Sequence, residues 1–264
     1  MADLAFADPA LAAWYDDLNP WGPDDDFYLR LVLGARSVLD VGCGTGRLLH
    51  RAREAGHTGR LVGLDPARGM LAQARRRDDI EWVLGELAST SWHDEFDLAV
   101  MTGHAFQALV SDADIHGTLA GVRRVLTPHG RFAFETRNPL VRPWLRWTRD
   151  RTVAAAGGEL RVEQRVDAPF NGRTVGLTET FTSPGWPQPR VSRSTLRFLD
   201  RSAVCDALGS AGLTVEEQFG DWDASPVTAQ SPEIITIARP ARGTCGRRSR
   251  TYTVDEREPS GLRA

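Results

Sequence analysis

The stretch Val38-Leu39-Asp40-Val41-Gly42-Cys43-Gly44-Thr45-Gly46-Arg47 constrains this chain more than any other, because three glycines fall at alternate positions where a short apolar run gives way to a helical pattern. Residues 37–41 read as a buried strand and residues 47–55 as a helix closed by Gly56. A junction that tight needs backbone without Cβ atoms, and it leaves main-chain groups open to a ligand at the carboxyl end of the strand. The rhythm continues with strands at 60–64, 80–84, 96–101 and 131–135 and helices at 67–77 and 112–126. Strands joined through helices of this length need right-handed crossovers, which builds a parallel sheet covered on both faces.

After Asn138 the period changes. Residues 160–166, 173–182 and 190–198 alternate apolar with polar side chains and are separated by Pro, Gly and Asn, the pattern of a three-stranded antiparallel meander. A helix at 200–211 and strands at 213–219 and 233–238 then resume the first pattern, so the meander is an insertion and not a separate unit. The expected fold class is α/β, a doubly wound, mostly parallel seven-stranded sheet with a small antiparallel meander inserted at about residues 150–199. Residues 1–34 form an N-terminal segment with helical pieces at 9–18 and 24–33, split by Pro20, Gly22 and Pro23, and residues 35–240 form the main domain. The arginine-rich tail 241–264 has almost no apolar periodicity and is expected to be disordered.

Composition removes several chemistries. All 32 basic residues are arginine, which excludes a Schiff-base lysine, pyridoxal phosphate attachment and the lysine of a phosphate-binding loop. Three scattered cysteines, Cys43, Cys205 and Cys245, make neither a disulfide framework nor a cysteine metal site. Residues 1–8 lack a basic and apolar leader, and no apolar run approaches the roughly 20 residues of a membrane span. The expectation is a cytoplasmic protein without membrane or metal, a monomer or homodimer. With 32 basic against 35 acidic groups the net charge is -3, so no overall field attracts a nucleic-acid backbone.

The glycine spacing separates the remaining cofactors. A dinucleotide fingerprint needs G-x-G-x-x-G, yet counting from Gly42 and Gly44 the third position is Arg47. Asp40 in front of the loop would also repel a pyrophosphate, whereas it suits a cationic ligand. The segment resembles the first motif, D/E-x-G-x-G-x-G, of the class I S-adenosylmethionine-dependent methyltransferases, carried here by Asp40, Gly42, Gly44 and Gly46. The resemblance extends motif by motif over about residues 35–138 and less distinctly to Ala238.

That resemblance implies S-adenosyl-L-methionine as cofactor, bound by Asp40, Gly42, Cys43, Gly44 and Gly46. It implies that Asp65, closing the second strand before Pro66, receives the two ribose hydroxyls. Glu86, beside Leu87 after the third strand, stands where the family commonly has an acid, often Asp, that accepts from the adenine amino group. Thr102 and Gly103, after the fourth strand, would lie near the reactive methyl. His104 beside them is either a general base for the attacking nucleophile or a residue that lines the pocket. Methylases of exocyclic base nitrogens carry D/N-P-P-Y/F at this place, and its absence points to a small-molecule acceptor and no nucleic acid. In small-molecule members an inserted antiparallel sheet roofs the site and N-terminal helices close as a lid, which makes Tyr15, Tyr28, Arg137 and Trp144 the candidate lid and substrate residues. The competing readings are an NAD-dependent Rossmann oxidoreductase and a non-catalytic cofactor-binding protein.

Overall fold

The computed structural model describes residues 3–155 and 157–241. Four short N-terminal helices, α1 (Leu4–Ala7), α2 (Pro9–Ala12), α3 (Tyr15–Leu18) and α4 (Pro23–Leu33), lead into the alternating run. This consists of β1 (Ser37–Val41), α5 (Arg47–Glu54), β2 (Arg60–Asp65), α6 (Arg68–Ala74), β3 (Glu81–Leu84), β4 (Phe96–Met101), α7 (Asp112–Val125) and β5 (Leu126–Arg137). Four strands follow, β6 (Arg149–Ala155), β7 (Gly158–Ala168), β8 (Thr174–Thr182) and β9 (Arg190–Arg197). The chain closes on α8 (Arg201–Ser210), β10 (Leu213–Phe219) and β11 (Glu233–Pro240).

The main sheet has the order β10-β11-β5-β4-β1-β2-β3. β1 pairs in parallel with both β2 and β4, while β11 runs antiparallel to β5 and β10. The winding reverses between β1 and β4, which opens a crevice beyond the carboxyl ends of the central strands. Strand alternation supplies the two hydrophobic layers. Leu39, Val62, Leu64, Ala99, Phe132 and Phe134 pack on one face with α7 and α8, and Val38, Leu61, Leu98 and Ala133 pack on the other with α4 and α5. Helix α7 is fixed at its start by a reciprocal cap, with Asp114 N–H donating to Ser111 Oγ and Ser111 N–H to the Asp114 carboxylate, each at 3.0 Å.

The second sheet has four strands in the order β6-β7-β8-β9, one more than the predicted meander. The added strand, β6, pairs with β7 from Arg149↔Gln164 to Ala155↔Gly158. Period-2 alternation could not reveal it, because Arg149 and Arg151 occupy positions on the face where its neighbours carry apolar groups. The N-terminal segment also departs from prediction. α1 precedes the expected start, and the helix expected over 9–18 breaks between α2 and α3, where Trp14 packs with Leu160, Val162 and Phe181 of the second sheet. Asp8 caps α2 by accepting from Ala10 and Leu11 N–H and pairs with Arg190 of β9, and Ala5 N–H donates to Ser192 Oγ at 3.0 Å. On its other side the segment lies against α6 at Gly69, where a Cβ would meet the Ala7 carbonyl oxygen at 2.7 Å. The N-terminal helices are thus clamped between the second sheet and α6. Among the described residues no helix is long and apolar enough to cross a membrane, and no His, Cys, Asp and Glu grouping has metal-site geometry. The expected tail lies outside the described residues from position 242 onward.

Candidate active site

At the end of β1 the chain takes three left-handed turns, at Gly42 (φ 77°), Gly44 (φ 56°) and Gly46 (φ 75°). Gly46 also begins α5, and a Cβ there would meet the Trp82 ring at 2.3 Å, so this position needs glycine for conformation and for space. Gly44 faces open space on its Cβ side. Asp65, at the end of β2, holds the loop: one carboxylate oxygen accepts from Gly44 N–H at 2.8 Å and the other from Ala67 N–H at 2.7 Å. Each oxygen keeps a lone pair for a further donor. Burial raises the Asp65 pKa, against these two backbone bonds.

Asp40 is 1% exposed, and its Oδ1 has no hydrogen-bond partner among the described residues. Burial, then the neighbouring Asp65 and Glu135 charges, push its carboxyl up to about 8. A buried carboxylate is normally matched by a cation or several donors. Neither is present among the described residues.

The ends of β4, β5 and β11 contribute a second group. Gly103 and His104 are both left-handed, with His104 at φ 60° and ψ 24°. That conformation costs a non-glycine residue about 1–2 kcal/mol, and it is held by Glu135, which accepts from His104 N–H at 2.5 Å and from the Tyr28 hydroxyl. The His104 ring places Nε2 at 3.1 Å from both oxygens of Glu233. Glu233 reaches this edge because β11 is antiparallel, so that its first residue pairs with the last residue of β5, Arg137. Arg137 in turn donates to Gln107 Oε1 at 2.9 Å and lies over the Trp147 ring at 5.1 Å.

The structure brings Asp40, Gly42, Cys43, Gly44, Gly46, Asp65, Thr102, Gly103 and His104 to the carboxyl edge of β1, β2 and β4. Glu86 is exposed and Leu87 buried at the end of β3, and Gly85 N–H donates to the Asp65 carbonyl oxygen at 3.0 Å, so this turn is tied to the Asp65 strand end. Pro66 is exposed beside it. Tyr15 lies over the same edge, its hydroxyl 3.7 Å from where a Gly103 Cβ would stand, and burial pushes that hydroxyl up to about 12. Tyr28 is 1% exposed and stands behind Glu135 as its donor, so it supports the site from within. Trp144 stacks on Phe170 at 4.3 Å and meets Phe198 edge-on at 4.8 Å, which makes it a packing residue of the second sheet; Trp147 is the indole that touches Arg137. Sequence reasoning missed Glu135 and Glu233 as site residues. The first left a trace, an acid at the carboxyl end of the apolar run Phe132-Ala133-Phe134. The second left none, since its place depends on strand direction.

Residues 38–130 match the methyltransferase domain family. The chain is 28% identical over 221 residues to the cypemycin N-terminal methyltransferase of a Streptomyces species, covering 78% of this chain and 83% of that protein. Residues 38–130 thus carry a methyltransferase domain of the S-adenosylmethionine-dependent kind. The chain is also 38% identical over 137 residues to a 2-phytyl-1,4-naphtoquinone methyltransferase of Thermosynechococcus vestitus, covering 47% of this chain and 59% of that protein. The fold is that of the CcbJ methyltransferase from Streptomyces caelestis, with a TM-score of 0.72, 21% identity, and 88% of this chain and 96% of that one aligned.

The residues present fit the methyltransferase cofactor. When bound, S-adenosylmethionine supplies a methyl group activated on a sulfonium and a second positive charge on its ammonium. The unpartnered Asp40 carboxylate is the complement of a cation, and the pyrophosphate of a dinucleotide would instead meet two buried acids, Asp40 and Asp65.

Proposed function

We propose that this methyltransferase transfers the methyl group of S-adenosylmethionine to a nitrogen or oxygen of a small-molecule acceptor. The observation that carries the reading is the Asp40 carboxyl group, buried with its Oδ1 unpartnered among the described residues, beside the glycine turns at the end of β1. In this reading Asp40 with Gly42, Cys43, Gly44 and Gly46 holds the charged amino-acid end of the cofactor. Asp65 takes the ribose hydroxyls with the lone pairs that its backbone bonds leave free, and Glu86 and Leu87 border the adenine. Thr102 and Gly103 flank the methyl.

The acceptor side is enclosed by the N-terminal helices and the second sheet, which are packed on each other through Leu11, Trp14, Leu160 and Phe181. A cover of this kind excludes water and suits a compact acceptor better than a duplex. His104 is the one imidazole that Glu233 orients at the carboxyl edge. With Nε2–H donated to Glu233, Nδ1 keeps its lone pair and is the atom able to take a proton from an attacking amine or hydroxyl. The two relatives are named for the N-terminus of cypemycin and for a phytyl naphthoquinone, neither a nucleic acid.

Incubating the protein with methyl-labelled S-adenosylmethionine and fractionated metabolite extract should move label into a low-mass fraction. Tight cofactor binding with no label transferred to any fraction would instead mark a non-catalytic cofactor-binding protein.

A further inference from the structure

The face of the second sheet that meets the N-terminal helices is apolar at both ends and polar across its middle. At one end Leu160, Val162 and Phe181 pack on Leu11 and Trp14; at the other Val166 and Leu177 pack with Trp144 and Phe198. Between them runs a single cross-strand row, Arg149↔Gln164, Gln164↔Glu179 and Glu179↔Ser192, with Arg151 one pair along, opposite Val162. Directly opposed side chains share a face, so this row is a charged stripe set between two hydrophobic clusters. Its buried groups, Gln164 and the Nε of Arg151, cost free energy unless hydrogen-bonded, while Arg149 is exposed to solvent.

Its groups are not fully bonded within the chain. Arg149 donates one bond, to Gln164 Oε1 at 2.9 Å, and Gln164 is buried. Arg151 Nε is buried with no partner among the described residues. Arg137 extends the stripe from the main sheet: it lies over the ring of Trp147, two residues before Arg149, and Glu233 and Glu135, whose charges act on it, are themselves bonded to His104. Several arginines in and beside the second sheet are paired, Arg161 with Asp150, Arg173 and Arg197 with Asp112, and Arg190 with Asp8, whereas Arg193 has no such pair among the described residues. Among the described residues Arg137, Arg149 and Arg151 have no carboxylate oxygen within 4.0 Å. Glu179 lies in the same row and its charge acts on Arg149 and Arg151, yet burial raises its pKa and no hydrogen bond joins it to either. Arg137, over the ring of Trp147, and Arg149 and Arg151, successive on one face of β6, thus present forked donors with N–H groups to spare, the groups that guanidinium uses for carboxylate and phosphate.

We propose that Arg137, Arg149 and Arg151 form an oxyanion subsite that holds a carboxylate or phosphate group of the methyl acceptor. Its assignment to the acceptor rests on the methyl-transfer reading above, while anion binding itself does not. Bound there, the anion would orient the acceptor so that its nucleophile lies toward His104 and Gly103.

The test titrates the protein, saturated with S-adenosylhomocysteine, with acetate, inorganic phosphate and chloride at matched ionic strength. Tryptophan fluorescence reports on Trp147, stacked under Arg137. Acetate or phosphate should bind saturably and chloride should not, with the tighter of the two naming the acceptor's group. Arg149→Gln and Arg151→Gln should each weaken that binding by about tenfold or more, the loss of one charged hydrogen-bond donor, and leave S-adenosylhomocysteine affinity unchanged. A wild-type response to acetate and phosphate no larger than to chloride, or unaltered anion affinity in both variants, would overturn the subsite. Failure of the methyltransferase reading shows separately, as absence of S-adenosylhomocysteine binding, and the anion titration is then repeated without it.

Discussion

Replacing Asp40 with asparagine should stabilise the cofactor-free protein above about pH 8 and, in the same variant, weaken S-adenosylmethionine binding. The Asp40 carboxyl titrates at about 8 because it is buried beside Asp65 and Glu135. In the unfolded chain it titrates near 4, in the ordinary carboxylate range. Between those values the folded state holds a proton that the unfolded state has released, so stability falls as the pH rises from about 4 to about 8. Beyond that the deficit levels off at a ceiling of roughly 5 kcal/mol. Asparagine has the same shape and no charge to desolvate. Urea midpoints of wild type and Asp40→Asn should therefore diverge in the variant's favour as the pH is raised, and parallel curves would remove Asp40 as the source of the strain. The variant also lacks the charge that complements the cofactor, so its dissociation constant should rise by about tenfold or more. Wild type should release protons on binding S-adenosylmethionine near neutral pH, because a bound cation favours ionised Asp40. Calorimetry in buffers of different ionisation enthalpy reads that release, which Asp40→Asn should lose.

The second large effect is expected at His104. His104→Ala should lower turnover by ~10² or more, the contribution of a positioned general base, while leaving S-adenosylhomocysteine affinity in place. Two acids with different duties hold this residue. Glu135 accepts the His104 backbone N–H and the Tyr28 hydroxyl, which fixes the strained peptide, and Glu233 faces the ring nitrogen. Glu233→Gln keeps an acceptor for Nε2–H but not its charge, so it should reduce kcat by a smaller factor than His104→Ala with little change in cofactor affinity. A loss under about threefold in His104→Ala, well short of general-base magnitudes, would leave the imidazole as pocket lining.

The proposed cofactor half of this site was legible in the chain because it is local. Asp40, the three glycines and Asp65 sit at strand ends whose positions follow from strand and helix period alone, and the glycine spacing already disfavours a dinucleotide. The acceptor half depends on long-range pairing. Glu233 joins His104 only because β11 is antiparallel, and an apolar run such as residues 234–238 reads the same in either direction. β6 escaped for a related reason: its face toward the N-terminal helices carries Arg149 and Arg151, so the alternation that marks a half-buried strand is missing where the arginines gather. The break between α2 and α3 was likewise invisible, since it is set by Trp14 reaching the second sheet and not by a local stop signal.

Equilibrium titration of wild type and Asp65→Ala with S-adenosylhomocysteine and NADH measures which cofactor the carboxyl edge of the sheet accepts. Saturable binding of S-adenosylhomocysteine to wild type, weakened in Asp65→Ala by roughly 1.5–3 kcal/mol for the lost charged acceptor, with no binding of NADH, is the result predicted. Binding of NADH without S-adenosylhomocysteine, or an Asp65→Ala variant of unchanged affinity, would contradict it.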